Sequence, residues 1–234
     1  DMKMLVDEKE NFKLEGLEKY LVEQALVQRR MGGLDLEEQA PVFKAKGILP
    51  YGNVGVYEFK RLTPDVEYYV RRLDDWINEK EPVTMDWRDT VAGFTLFGKI
   101  PNIYGSRMIH YRYVKKNPKD MLRLWIYHLA GCCSETQPDV VESTFVFRDT
   151  ALVYRFAENS RNILARLLEM FWRGLQRPLP FFPFTSHRYA EQRIGRSKTR
   201  EEAKHMAASQ WVSSHARGEF EDPYISLCFS ESDG

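Results

Sequence analysis

Apolar side chains recur at helical spacing in the first third of the chain. A first helix is predicted within residues 1–40, ended by Gly32-Gly33, with the apolar positions Phe12, Leu14, Leu17, Leu21 and Ala25. Residues 41–59 are predicted to be extended or looped, because glycines and Pro50 interrupt them. Pro64 is then expected to open a strong helix with the apolar stripe Val66, Tyr69, Val70, Leu73, Trp76 and Ile77.

After Pro82 the apolar period shortens to two, which indicates β-strands. Residues 91–101 and 107–114 are predicted to pair through a turn at Tyr104-Gly105-Ser106, and residues 142–147 and 151–156 form a second predicted hairpin. A helix is predicted over residues 119–130 between the two hairpins. Its apolar side holds Met121, Leu122, Trp125, Ile126 and Leu129.

The last third is predicted to be helical around a proline-rich elbow. Asn159 can cap a helix that runs to about residue 175, with the stripe Ile163, Leu164, Leu167, Leu168, Phe171 and Trp172. Three prolines exclude a regular element over residues 177–184, and a last long helix is expected over 199–217. We therefore predict one α/β (α+β) domain over residues 1–234, with a mixed sheet flanked by helices. Its predicted parts are an extension (1–60), a core (61–176) and the elbow with C-terminal helices (177–234).

Composition excludes several classes of protein. The chain has 34 basic and 34 acidic residues, so its formal net charge is zero and it is not a uniformly basic DNA-coating protein. Its apolar content is too high for a disordered chain, and we expect neither a membrane span nor a signal peptide. The cysteines Cys132, Cys133 and Cys228 cannot form a disulfide framework, which favours a reducing compartment. His128 and Cys132 are half a metal site at most, and a packed helix end is the preferred interpretation.

The charge is segregated along the chain. Residues 105–125 hold six Lys or Arg against one acid, and residues 186–204 hold six against three glutamates. We expect phosphate contacts from a first group, Arg107, Arg112, Lys115, Lys116 and Arg123, and from a second group on a loop, Arg193, Arg196, Lys198 and Arg200. Ordinary solvated faces explain both groups about as well, and Thr199 is also suited to capping the last helix.

The common catalytic motifs for nucleotides, acyl transfer and zinc are absent. The predicted order of elements resembles the core of the PD-(D/E)XK metal-dependent nucleases, which carry an Asp on one strand and an acid-x-Lys on the next. In this sequence Pro101 stands at the first position, and His110-Tyr111-Arg112 stands at the second. A hard cation needs oxygen ligands, so these residues predict a degenerate site that holds no metal and leaves Arg112, Lys115 and Arg123 for phosphate.

Longer motifs resemble the gamma-subunit family of exodeoxyribonuclease V, the RecBCD helicase–nuclease. Leu14, Gly16, Leu17 and Tyr20 match its L-x-G-L-x-R-Y motif, and Leu49-Pro50 with Gly47, Gly52 and Gly55 match its G-x-L-P-x-G-x-x-G segment. Its L-R-x-W-x-x-H-L block is matched by Leu122-Arg123, Trp125 and His128-Leu129. Its L-P-F-F-P block is matched by Leu179-Pro180-Phe181-Phe182-Pro183, and its D-P-x block by Asp222-Pro223. The matches follow the family's order over nearly the whole chain.

The resemblance implies the C-terminal, catalytically inactive, nuclease-like domain of a larger subunit. It implies partners in DNA ends, single or forked strands, and the beta and alpha subunits, whereas ATP and magnesium would serve those subunits only. It also implies a bacterial cytoplasmic location near the nucleoid, and a role in double-strand break repair by splitting duplex ends and guiding the strands. The domain alone is expected not to be an enzyme.

Two other functions stay open at this point. An active nuclease would need other acids, such as Asp86, Asp89 or Glu142, although none has an acid-x-Lys partner. A pure protein-interaction module would use exposed aromatic side chains, for which Phe181, Phe182 and Phe184 are candidates.

Overall fold

The computed structural model describes residues 14–77, 81–133, 140–213 and 218–230; Phe12 of the predicted first helix lies outside them. The chain divides into two compact units. The first comprises residues 1–81, 111–115 and 146–151, and the second comprises 82–110, 116–145 and 152–234. Among the described helices, none has the length and apolar character needed to cross a bilayer.

The first unit is built from three helices, α1 (Gly16–Met31), α2 (Ala40–Ala45) and α3 (Gly52–Ile77). Helix α1 confirms the predicted element and its end before Gly32-Gly33. The predicted stripe is wrong in part, because Leu17 and Leu21 are 70% and 56% exposed. The buried face holds Val22, Leu26 and Val27 instead, which are offset by one position around the helix.

Helix α3 corrects the prediction for residues 41–63. Most of this stretch is helical in α2 and α3, and Pro64 lies inside α3 rather than at its start. The same helical period continues on both sides of Pro64, with the buried residues Phe59, Leu62, Val66, Tyr69, Val70 and Leu73. Burial of this long face offsets the one backbone hydrogen bond that proline removes. The predicted boundary between residues 60 and 61 therefore falls inside a helix.

Five strands form one mixed sheet in the order β1 (Val83–Val91), β2 (Phe94–Tyr104), β3 (Arg107–Tyr111), β4 (Glu142–Val146) and β5 (Ala151–Arg155). Both predicted hairpins are confirmed as β2–β3 and β4–β5. Strand β1 was not predicted; it pairs antiparallel with β2 from Val91 opposite Phe94. The turn between them is Ala92-Gly93 with φ of 51° and 80°. Two positive φ angles make a type I′ turn. The sequence did not predict it, because alanine is not a residue that favours such turns.

Strands β3 and β4 run parallel and are joined through α4 (Pro118–Cys133). The Arg112 N–H donates to the Val146 carbonyl, and the Arg148 N–H donates to the Val114 carbonyl, so residue numbers rise together along both strands. A sheet with both pairings, flanked by helices, confirms the predicted α/β class. Whether it is a nuclease fold stays a prediction.

The second unit also holds α5 (Ser160–Gln176), α6 (Pro183–Ala190), α7 (Arg200–Trp211) and α8 (Pro223–Cys228). Helix α5 is confirmed, but Asn159 at its N-cap makes no side-chain hydrogen bond. Its predicted apolar stripe is wrong as a buried face, because Phe171 and Trp172 are 59% and 51% exposed and only Leu164 is buried. On α4 the prediction is confirmed for Leu129, which is buried, but the other buried residues, including Leu124, His128 and Ala130, lie outside the predicted stripe.

The proline-rich elbow is irregular only up to Phe182. Pro183 occupies the first turn of α6, a favoured position for proline because its missing N–H has no helical partner there. Phe182 is buried, and its ring lies 4.2 Å from that of Trp211 and 5.1 Å from that of Phe229. This residue is therefore core, while Phe181 remains 43% exposed.

Candidate nucleic-acid interface

The predicted degenerate positions fall on β2 and β3 and just beyond. Pro101 is on β2 and His110 on β3, both in the second unit, whereas Arg112 belongs to the first unit. The His110 ring lies 5.4 Å from the Tyr127 ring and 6.4 Å from the Phe145 ring. Its buried Nε2 has no hydrogen-bond partner among the described residues. Burial, helped by repulsion from Arg123, lowers the pKa of His110 to about 4, so the ring is neutral at pH 7.

Arg112 and Lys115 lie in the first unit and are exposed. The Arg112 guanidinium donates from Nε and Nη2 to the Tyr20 hydroxyl, at 3.2 and 3.1 Å, and lies 5.8 Å from the Tyr20 ring centroid. These bonds hold the guanidinium beside the tyrosine ring.

Sequence reasoning missed two further arginines in the first unit. Arg148 lies 5.5 Å from the Tyr113 ring centroid and 3.9 Å from the Glu23 carboxylate, and Arg72 donates to the Arg148 carbonyl at 3.1 Å. Burial raises the pKa of Glu23 even though Lys19 and Arg148 pull it down. No local signal distinguishes Arg72 and Arg148, because they come together only through folding.

The other members of the first group, Arg107, Lys116 and Arg123, belong to the second unit. Arg107 begins β3, and its guanidinium is 4.0 Å from the Glu142 carboxylate. Lys116 precedes α4, and Arg123 lies on it; both side chains are exposed. The first group is thus shared between two units, and its function as one site stays a prediction.

The second group lies within one unit but not on one loop. Arg193 is in a π-helical turn, Glu191–Gly195, so its predicted loop location is wrong. Arg196 and Lys198 follow in a short loop, and Arg200 begins α7; all four side chains are exposed. The Arg193 side chain donates to the Lys198 carbonyl. This bond ties the turn to the loop.

The suggested capping role of Thr199 is confirmed. Its hydroxyl accepts from the Glu202 N–H at 3.3 Å, and the Glu202 carboxylate accepts from the Thr199 N–H at 2.9 Å. This reciprocal capping box lowers the pKa of Glu202 through hydrogen bonds from Thr199. The hydroxyl is therefore engaged in starting α7.

The acids considered for an active nuclease are each ion-paired in the second unit. Asp86 pairs with Lys99 at 3.4 Å, and Glu142 pairs with Arg107 at 4.0 Å. Asp89 accepts two hydrogen bonds from Arg161, at 2.8 and 2.9 Å. Across the part of the chain that the structure describes, no three His, Cys, Asp or Glu side chains cluster closely enough to share a metal ion.

His128 and Cys132 lie close together, with Cys132 Sγ 3.5 Å from His128 Nε2. The histidine is fully buried and spans Ser143 Oγ at 2.7 Å and the Arg155 carbonyl at 2.9 Å. Burial lowers the pKa of His128 and raises the pKa of the Cys132 thiol. The imidazole is neutral and both of its nitrogens have hydrogen-bond partners, while the neighbouring thiol keeps its proton. The pair therefore serves in packing rather than as metal ligands.

Comparison with known proteins adds to this geometry. Residues 3–194, well over half of the chain, match the family model described as the RecC C-terminal domain. The chain belongs to the RecC C-terminal domain family. The matched region contains the whole sheet and the RecC-like motifs up to the elbow, and it includes the first group and Arg193. Arg196, Lys198 and Arg200 lie beyond it.

Two full-length RecC proteins are similar to this chain. The RecBCD enzyme subunit RecC of Haemophilus influenzae is 26% identical over 157 residues, which are 63% of this chain and 13% of that protein. The RecBCD enzyme subunit RecC of Escherichia coli K12 is 24% identical over 182 residues, 76% of this chain and 16% of that protein. The chain therefore spans about a seventh of the length of these relatives. The resemblance to the exodeoxyribonuclease V gamma subunit is confirmed at the level of this domain.

Proposed function

We propose that this RecC-type domain is a non-catalytic part of a RecBCD complex that guides DNA strands and helps to hold subunits together during the repair of double-strand breaks. The observation that carries the proposal is the combination of family membership with Pro101 and His110 at the positions predicted for the two nuclease acids, and Arg112 at the position predicted for the nuclease lysine. A neutral buried ring and an exposed guanidinium are unsuited to magnesium. We place the domain in the bacterial cytoplasm, with ATP and magnesium used by partner subunits.

The exposed cations support contact with DNA. Arg112 and Lys115 in the first unit, and Lys116 and Arg123 in the second, extend into solvent from a chain whose net charge is zero. Exposed basic side chains concentrated in one stretch of a neutral sequence can supply phosphate contacts without coating the whole surface. The second group adds exposed cations in and around the π-helical turn.

The apolar side of α5 supports the assembly part of the proposal. Met170, Phe171, Trp172 and Leu175 are 40–64% exposed on one helix. Large apolar side chains grouped in this way on an exposed helix mark interaction surfaces more often than random surface. A partner subunit or another part of a longer RecC chain would cover them.

Charge reversal tests the DNA contact. The double variant Arg112→Glu/Lys115→Glu should bind fluorescent forked DNA more weakly, and the slope of log affinity against log salt should fall by about two. Lys44→Glu/Lys46→Glu, which makes the same charge change elsewhere in the first unit, is the matched control. Equal affinity of the two variants, with unchanged thermal unfolding, would make the first group ordinary surface.

A cleavage assay tests the absence of catalysis. The chain should leave single- and double-stranded DNA intact in magnesium or manganese. If the chain cuts DNA and Asp89→Ala does not, the active-nuclease alternative is established. Cutting by a contaminating nuclease would persist in that variant.

A further inference from the structure

One exposed face of α3 combines aromatic and basic side chains and belongs to neither basic group. Tyr57, Arg61, Tyr68 and Arg71 recur at helical intervals of about three, four or seven residues, so they align on one side of the helix. Tyr57 and Tyr68 are 67% and 60% exposed. With the adjacent exposed Lys60, these residues define the α3 tyrosine–arginine face.

The cations of this face are placed to contact an anion. Lys60 and Arg71 make no ion pair or hydrogen bond with any residue in the described ranges. Arg61 pairs with Glu58 at 2.7 Å, and the Arg72 guanidinium lies 5.8 Å from the Tyr68 ring centroid. A cation over one face of the ring restrains that tyrosine and leaves the opposite face for stacking.

The spacing suits an unpaired strand. Tyr68 is eleven positions after Tyr57, which corresponds to about 16 Å along a helix. Two rings at that distance can stack on separate bases while Lys60, Arg61 and Arg71 contact the phosphates between and beyond them. Paired bases in a duplex offer no free faces to the rings, and an acidic peptide would use the cations alone. Asp65 and Glu67 flank the face and would repel phosphates, so we expect the phosphates to lie along Lys60, Arg61 and Arg71.

We infer that the α3 tyrosine–arginine face binds single-stranded DNA by base stacking on Tyr57 and Tyr68 and phosphate contacts from Lys60, Arg61 and Arg71. The inference deepens the proposed function and rests on it, because it identifies an unpaired strand as the form of DNA that crosses the first unit. It does not depend on Arg112, Lys115 or the second group.

Fluorescence anisotropy with a labelled oligothymidylate of about 12 nucleotides tests the inference. Tyr57→Ala/Tyr68→Ala should bind at least about 30-fold more weakly than the unmodified chain, whereas Tyr57→Phe/Tyr68→Phe should keep the affinity because phenyl rings still stack. Tyr224→Ala removes an 81% exposed tyrosine from α8 and is the matched control. Thermal unfolding should be the same in all four proteins.

The possible outcomes separate this inference from the proposed function. Unchanged affinity in the alanine pair, no binding of the oligothymidylate by the unmodified chain, an equal loss for duplex of the same length, or equally tight binding of poly-glutamate would each overturn it. If Arg112→Glu/Lys115→Glu leaves fork binding intact while the alanine pair loses single-strand binding, the phosphate contacts of the first group are contradicted and the inference about the α3 face is supported. The reverse result removes the α3 face alone.

Discussion

The buried imidazole of His110 predicts a specific loss of stability in acid. The folded chain holds this ring neutral, with a pKa of about 4, whereas an exposed histidine in the unfolded chain has a pKa of about 6.5. The unfolded state therefore takes up a proton first as the pH falls. The stability is complete above about pH 6.5 and is lost progressively toward about pH 4.

The size of the loss follows from this difference. Between pH 7 and pH 5, the linkage relation for one such histidine amounts to about 2 kcal/mol. For a chain of 234 residues, that corresponds to a drop in Tm of about 4–8 °C. His128, whose pKa burial also lowers, adds to the loss in the unmodified chain, so the effect of His110 is a difference between variants.

Urea unfolding at pH 7 and pH 5 measures this difference. His110→Phe keeps an aromatic ring between Tyr127 and Phe145 but cannot titrate, so it should lose about 2 kcal/mol less than the unmodified chain on acidification. His205→Gln removes an exposed histidine on α7 and is the matched control. Identical losses in the unmodified chain and His110→Phe would refute the buried neutral ring, as would an NMR titration of His110 with a midpoint above about pH 6.

Three further effects on stability follow from close contacts. Gly55→Ala should lower Tm by about 6–12 °C, because a Cβ there would lie 2.1 Å from the Pro50 carbonyl oxygen. Gly195→Ala is the control and should change Tm little, because the space around Gly195 is open. Equal Tm values in the two variants would contradict the close packing at Gly55. Asp89→Asn should lower the free energy of unfolding in urea by about 1 kcal/mol, a modest loss because the Arg161 partner is half exposed. An unchanged free energy of unfolding would show that the bidentate pair does not persist in solution. His128→Leu should cost roughly 2–5 kcal/mol in urea unfolding, because it leaves the buried Ser143 hydroxyl and the Arg155 carbonyl without their hydrogen-bond partner. A loss under about 1 kcal/mol would mean that water replaces the ring.

Helix α5 shows why sequence alone misjudges buried faces. Its amphipathic pattern is real, and the helix forms where it was predicted, but Phe171 and Trp172 remain exposed. Periodicity reports that one side of a helix is apolar, not that this chain supplies a surface to cover it. Leu17 and Leu21 on α1 repeat the same error.

The family, the α/β class, both predicted hairpins and most helices are predictable from the amino-acid sequence, because they depend on local periodicity, turn residues and motif order. The sequence also predicts that Pro101 and His110 stand where the nucleases carry acids. Three features appear only in the folded chain: α3 continues through Pro64, Ala92 adopts a left-handed turn, and the first group divides between two units. Those outcomes depend on burial and charge contacts between distant residues, such as Arg148 beside Glu23, and no local pattern encodes them.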